Sequence, residues 1–378
     1  MFPFTAIVGH ENAKLALLIS AVDSRIGGVL LSGVKGTGKS TIVRAFSKIL
    51  PEIEIVENCK FGCSPAFLEN MCEECRSRAS SGEKFSTIRR PAKIVSIPLG
   101  ITEDRLLGTV NIEKMLTEGK AYFEPGLLAQ ANGQVLYIDE VNLLPDNITD
   151  DILDVAASGI NIVEREGISV SHPARFTLVG TMNPEEGQLR PQILDRFALS
   201  VKIETIKSPA MRAEIIRREL AHSIEKEKFE KGFAKADLIL RNKVEQARKN
   251  IRAIKISPRT IEIVAMAMAS LGVDGQRPDI VTIRSAIAYA ALEGDKKVER
   301  KHIDAVVPLS VCHRTRNGGY DPPPDAEQVK KAVDDAEKVV KGDSMKAEPK
   351  GLQDIADDVI KSALSAIEKT SEEIKKNN

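Results

Sequence analysis

Gly33-Val-Lys-Gly-Thr-Gly-Lys-Ser-Thr41 follows the apolar run Val29-Leu-Leu31 and leads into Thr41-Ile-Val-Arg-Ala-Phe-Ser-Lys-Ile-Leu50, whose apolar residues recur at helical spacing. A buried strand, a glycine-rich turn and a helix in that order form the G-x-x-x-x-G-K-[S/T] phosphate loop. Gly33, Gly36 and Gly38 let the backbone curl until its N–H groups face phosphate oxygens. Lys39 brings a point charge to the β- and γ-phosphates, and the Ser40 hydroxyl is a ligand for Mg²⁺. Gly33, Gly36, Thr37, Gly38, Lys39, Ser40 and Thr41 are therefore the expected nucleotide contacts. The loop says that a nucleotide is bound, and not what the energy is used for.

Working outward, Gln134-Val-Leu-Tyr-Ile-Asp-Glu140 reads as a strand ending in two carboxylates. A P-loop NTPase needs one carboxylate for Mg²⁺ and another to orient and deprotonate the attacking water. Asp139 takes the first role and Glu140 the second. Arg175-Phe-Thr-Leu-Val-Gly-Thr181 is another buried strand, and Asn183 just after it is placed to hold the lytic water or touch the γ-phosphate. In Leu194-Asp-Arg-Phe197, Arg196 is the candidate for an arginine finger that meets a neighbour's γ-phosphate, and a local surface pair with Asp195 is the alternative. Arg284, on an otherwise apolar helical run, is expected to project at an anion such as nucleotide at a domain junction.

The first 208 residues alternate strand-like and helical stretches, which predicts an α/β P-loop core with a parallel sheet flanked by helices. A Cys-, Glu- and Ser-rich insertion over 59–85 interrupts it with little periodicity. Gly159 to Val170 reads as a hairpin turning near 165–167. From Pro209 the pattern becomes helical: connecting helices over 209–256, then an all-helical domain over 257–316. Residues 317–378 read as a Pro-containing linker and a charged tail, either amphipathic helix or disorder.

Composition bounds the function. The 378 residues carry 54 basic and 54 acidic side chains, so no basic field argues for nucleic-acid binding. Aromatics are 4% with no Trp, which leaves little material for base-stacking platforms. The N-terminus lacks a signal-peptide pattern and no apolar run reaches membrane-spanning length, so a soluble cytoplasmic protein without a membrane partner is expected. Five cysteines include the cluster Cys59-x₃-Cys63-x₈-Cys72-x₂-Cys75. Four thiolates in a short loop suit structural Zn²⁺; free or redox-active thiols and an Fe–S cluster are the alternatives. Cys312 stands apart and reads as a small core residue.

These stretches together resemble the I subunit of magnesium chelatase, the AAA+ ATPase family that drives metal insertion into protoporphyrin, with its cobalt-chelatase and archaeal relatives. The resemblance rests on Phe4–Gly9, Asp23–Leu31, Ile97–Gly108, Phe123–Leu128, Leu136–Leu144, Ile162–Val170, Gly180–Gly187 and Arg190–Phe197, and covers about residues 3 to 315. It implies an AAA+ core with a helical lid, an insert between Ile97 and Leu127, and a hexameric ring with ATP between protomers. It also implies partnership with a D-type AAA+ subunit and a large H-type porphyrin-binding subunit that performs the chelation. By the same resemblance Asp139 and Glu140 are the Walker B pair, Asn183 is sensor 1, Arg196 the trans finger and Arg284 the sensor 2 arginine. The chain has the Pro322-Pro-Pro324 linker of D subunits without an Asp-x-Ser-x-Ser signature, which points to the I type. The cysteine insertion and the tail depart from the family pattern. The alternative is a remodelling ATPase of the same branch that acts on another metal-binding-domain protein without tetrapyrrole chemistry.

Overall fold

The computed structural model describes residues 1–66, 68–110, 123–165 and 168–343. Parts of the expected insert (111–122) and tail (344–378) lie outside them. The strands in chain order are β1 (Gly28–Ser32), β2 (Ile53–Val56), β3 (Thr87–Arg90), β4 (Ile94–Ile97), β5 (Gly108–Val110), β6 (Phe123–Pro125), β7 (Val135–Ile138), β8 (Ile160–Arg165), β9 (Ile168–Pro173), β10 (Thr177–Met182) and β11 (Phe197–Lys202).

Five of them form one all-parallel sheet in the order β11-β1-β10-β7-β4. Period-2 alternation sends neighbours to opposite faces. Val29, Leu31, Val135, Tyr137 and Val179 join one core, while Leu30, Leu136, Ile138 and Leu178 join the other. The first core holds the helices Glu11–Val22 and Lys39–Phe46 and runs on without a break into the helical domain. The second is closed by the helix Asp146–Ser158. The remaining strands form three antiparallel pairs, β2–β3, β5–β6 and β8–β9.

Ser208-Pro209 and Ser257-Pro258 open helices for the same local reason: the serine side chain accepts a backbone N–H of the first turn, and proline at the first helical position has no N–H to leave unpaired. The helical part comprises Pro209–Ile224, Lys226–Asn250, Pro258–Leu271, Arg277–Glu293 and Arg300–Val311. Among the described residues no helix is long and apolar enough to cross a membrane.

Of the two readings of the segment after 317, amphipathic helix holds for Ala326–Asp343, whose Val329, Val333, Ala336 and Val340 are buried in the helical domain's core. One expectation needs correction. Residues 209–256 are more than connectors, since Val244 and Ala247 of Lys226–Asn250 are fully buried in that same core. The cysteine insertion is also more ordered than its sequence suggests. The β2–β3 ribbon brackets it, it contains the helix Glu73–Ser80, and Cys63, Met71, Cys72 and Cys75 form a small core of their own.

Candidate functional site

The phosphate loop leaves the C-terminal end of β1, with Gly33 N–H donating to Met182 O on β10 (3.1 Å). A Cβ on Gly33 would stand 2.3 Å from the Ile203 carbonyl oxygen, so this position admits glycine alone. Gly36 and Gly38 have φ of +82° and +86°, which side chains disfavour. The curl turns Lys39 Nζ back onto the loop carbonyls of Gly33 (2.5 Å) and Val34 (2.9 Å). Burial pushes the Lys39 ammonium's pKa down, and the facing charges of Asp139 and Glu140 oppose that shift.

Parallel pairing brings the remaining groups to the same edge. Gly180 on β10 lies opposite Ile138 on β7, so Thr181 and Asp139 emerge side by side. Thr181 Oγ1 donates to Asp139 Oδ1 (2.6 Å) and accepts from the Glu140 N–H (3.2 Å). Ser40 Oγ is 3.4 Å from both Asp139 carboxylate oxygens. Glu140 itself has φ +54°, a left-handed conformation uncommon for a non-glycine residue. Asn183 is 5% exposed one residue past β10, and its Oδ1 accepts from Glu185 N–H (3.3 Å). Thr181 escaped the sequence reading. It is an ordinary strand residue until the register sets it between the two carboxylates.

A cleft of about 430 Å³ runs from Lys35–Gly38 to Ile7, Val8, Ile206 and Ile215, with His10 and Arg212 at its wall. Its apolar lining beside the phosphate loop suits a flat heterocycle. The sequence reading did not single out these lining residues; the nearest signal was Phe4–Gly9, used above only as part of the resemblance.

Arg196 and Arg284 do not join this site. Arg196 ends the helix Pro191–Arg196 immediately before β11, whose Phe197 pairs with Gly28 at the start of β1. Its Nη1 is held by Asp154 (2.6 Å) and Asp150 (3.3 Å). Arg284 Nη1 donates to the Arg25 carbonyl (3.1 Å), also ahead of β1. The phosphate loop lies at the far end of β1, about 17 Å away at about 3.3 Å rise per residue. Within one chain, then, neither arginine reaches the phosphate loop: both stand at the opposite end of β1.

The four insertion cysteines converge, all Sγ atoms lying within 4.8 Å of one another and Cys59 Sγ 3.9 Å from Cys72 Sγ. The Cys72 N–H donates to Cys63 Sγ (3.2 Å). Hydrogen bonding from Cys63 and Cys72 lowers the Cys59 pKa, while burial raises that of Cys75 to about 12. The cluster is keyed to the core. Asn132 Nδ2 donates to Phe61 O (2.9 Å) and Gly62 O (3.1 Å), and the Phe61 ring stacks on His172 of β9 with centroids 4.6 Å apart. Cys312 packs against the helical core, as its isolated position suggested, and burial raises its pKa to about 11.

A phosphate loop, a strand-end carboxylate pair and a polar residue after the neighbouring strand, under a helical domain, define an AAA+ ATPase. Family models bear this out: "AAA domain (dynein-related subfamily)" matches residues 81–197, "AAA lid domain" matches 261–338, and "Magnesium chelatase, subunit ChlI" matches 3–78. The magnesium-chelatase subunit ChlI homolog of Methanocaldococcus jannaschii is 46% identical over 323 residues, spanning 85% of this chain and 88% of the relative. Magnesium-chelatase subunit ChlI of Synechocystis is 48% identical over 316 residues, spanning 84% and 88%. A putative ATPase from Cytophaga hutchinsonii, 16% identical and covering 92% of each chain, shares the fold at a TM-score of 0.52. The chain belongs to the magnesium-chelatase ChlI family.

Proposed function

We propose that this chain is the ATP-hydrolysing motor of a tetrapyrrole metal chelatase, working in the cytoplasm as a hexameric ring with a D-type AAA+ subunit and a large H-type porphyrin-binding subunit. The observation that carries the ring is the split of the machinery: the phosphate loop is at one edge of the sheet and Arg196 and Arg284 are at the other. Stacking protomers edge to edge brings these arginines to a neighbour's phosphates. The chelatase role is supported by likeness, over 85% of the chain, to a relative named for it.

Ser40 Oγ and the Asp139 carboxylate, held in place by Thr181, are hard oxygen donors of the kind Mg²⁺ prefers. Mg²⁺ held there would neutralise charge on the β- and γ-phosphates of ATP. Lys39 leaves the loop carbonyls for the phosphates, Glu140 takes the proton of the attacking water, and Asn183 orients that water. Arg196 of the next protomer offsets the charge that develops in the transition state. The helical domain converts nucleotide state into movement that the partner subunits use.

Reconstitution tests this directly: candidate large and D-type subunits, ATP and Mg²⁺, Co²⁺ or Ni²⁺, read by loss of free-porphyrin fluorescence. Metal insertion should require both this chain and ATP. Insertion at an unchanged rate without the chain overturns the chelatase role, and ATPase stimulation by a metal-binding-domain partner without insertion points to the remodelling alternative.

The reading includes a structural Zn²⁺ at Cys59, Cys63, Cys72 and Cys75. Tetrahedral Zn–S bonds of about 2.3 Å set sulfurs about 3.8 Å apart, and Cys59 and Cys72 are already at 3.9 Å. Protein purified without chelators should carry one zinc per chain, and the Cys72→Ser, Cys75→Ser double variant should lose it and open the insert to limited proteolysis. Preparations with neither zinc nor iron would sink this reading; iron with visible absorbance would reassign the site to an Fe–S cluster.

A further inference from the structure

The segment that carries the finger is gripped by the helical domain. Each of its three carbonyls accepts a hydrogen bond from a side chain of that domain. Asp195 O accepts from Arg314 Nη1 (3.0 Å), Arg196 O from Arg277 Nη2 (2.9 Å), and Phe197 O from His313 Nε2 (3.0 Å) and Arg314 Nη2 (3.3 Å). Arg314 Nη1 also binds the Asp195 carboxylate, and its Nε donates to Ser310 O (2.7 Å). Side chains from two helical-domain elements thus converge on three consecutive peptide units.

Arg314 is the largest fully buried side chain among the described residues, at 1% exposure. A buried guanidinium carries a large desolvation cost and is tolerated when its donors are filled. Here they are filled by the Asp195 and Phe197 carbonyls and the Asp195 carboxylate of the finger segment, and by Ser310 O. Burial also lowers the pKa of His313 to about 3, so its ring is neutral and Nε2–H is the donor to Phe197 O. These groups do not touch the phosphate loop. Packing alone would be served by apolar side chains, and three polar side chains aimed at successive carbonyls instead fix where one short segment sits.

The grip continues along one helix. Arg277 and Arg284 are seven residues apart on Arg277–Glu293 and so share a face. Arg277 holds the carbonyl of the finger itself, and Arg284 reaches Arg25 ahead of β1. One rigid helix therefore spans both arginines at this edge.

We propose that Arg314, with Arg277 and His313, is the positioning clamp through which the helical domain sets the reach of Arg196 toward the neighbouring protomer's nucleotide. This rests on reading Arg196 as the trans finger. A shift of the helical domain in one protomer then changes hydrolysis in the next. The clamp residues act through Arg196 and do not themselves meet the nucleotide.

The test uses mixed rings of full-length chains. One subunit type is wild type. The other carries Glu140→Gln, so that it donates a finger without hydrolysing ATP, and adds Arg314→Lys, Arg277→Ala or Arg196→Ala. Lysine keeps the charge and loses the planar fork. With Arg314→Lys, kcat per wild-type subunit should fall by about 10²-fold with KM unchanged, the cost of an ångström-scale misplacement. Arg277→Ala removes one charged hydrogen bond without emptying the buried Arg314 site, and should lower kcat about tenfold. It keeps the proposal testable if Arg314→Lys fails to fold. Subunits with Arg314→Lys or Arg277→Ala that enter rings and serve their neighbours as well as Glu140→Gln alone overturn the clamp. If Arg196→Ala subunits also serve their neighbours normally, the trans-finger reading has failed instead.

Discussion

Arg196→Ala should lower ATP turnover by assembled rings by about 10³- to 10⁵-fold while leaving nucleotide binding by each chain intact. The expected size follows from the chemistry, because a finger opposes charge that exists only in the transition state. The selectivity follows from position. Arg196 precedes β11 at the edge of the sheet opposite the phosphate loop, so its loss leaves the cleft between Lys35–Gly38 and Ile206 unaltered. Folding should be little affected. The Arg196 side chain is 33% exposed in its ion pairs with Asp150 and Asp154, and such pairs contribute about 0–1 kcal/mol. Titration with a fluorescent ATP analogue should give an unchanged Kd beside the collapsed turnover. Rings that keep wild-type turnover would place the finger elsewhere.

Glu140→Gln should slow hydrolysis by about 10²- to 10⁴-fold with ATP still bound, the range general-base catalysis supplies. The amide keeps the shape of the carboxylate. The Glu140 N–H stays on Thr181 Oγ1 and the left-handed turn at φ +54° is preserved, so only the proton acceptor is lost. Asp139, held separately by Thr181, retains its oxygens for the metal. Single-turnover measurement should therefore show slow phosphate release from a tightly loaded site. Wild-type single-turnover rates in this variant would remove Glu140 from the base role.

Much of the core was legible because its signals are local. A run of β-branched and aliphatic residues before a glycine-rich turn specifies strand, loop and helix within about twenty residues, and the strands ending at Asp139–Glu140 and Thr181 carry the same compact signal. β11 was not legible. Its Phe197-Ala-Leu-Ser-Val-Lys202 run follows Asp195-Arg196 without a turn residue, and β1 supplies the partner that makes it a strand. For Ala326–Asp343 the charge left helix and disorder both open in the sequence, and burial of Val329, Val333, Ala336 and Val340, which recur at helical spacing, decides for helix.

The sequence alone determined the kinds of chemistry present: a glycine-rich loop free to curl, a carboxylate pair, an arginine and four thiols at short spacing. Tertiary structure decided which of these meet. Parallel pairing sets every strand's C-terminal end on one edge, which collects the phosphate loop, Asp139, Glu140, Thr181 and Asn183. The same pairing leaves Arg196, just ahead of β11, at the other end, and packing of the helical domain brings Arg284 there too, with Arg277, His313 and Arg314 on the carbonyls of Asp195–Phe197. Spacing along the chain records neither edge, because side chains more than a hundred residues apart are brought together, or kept apart, by the sheet's register.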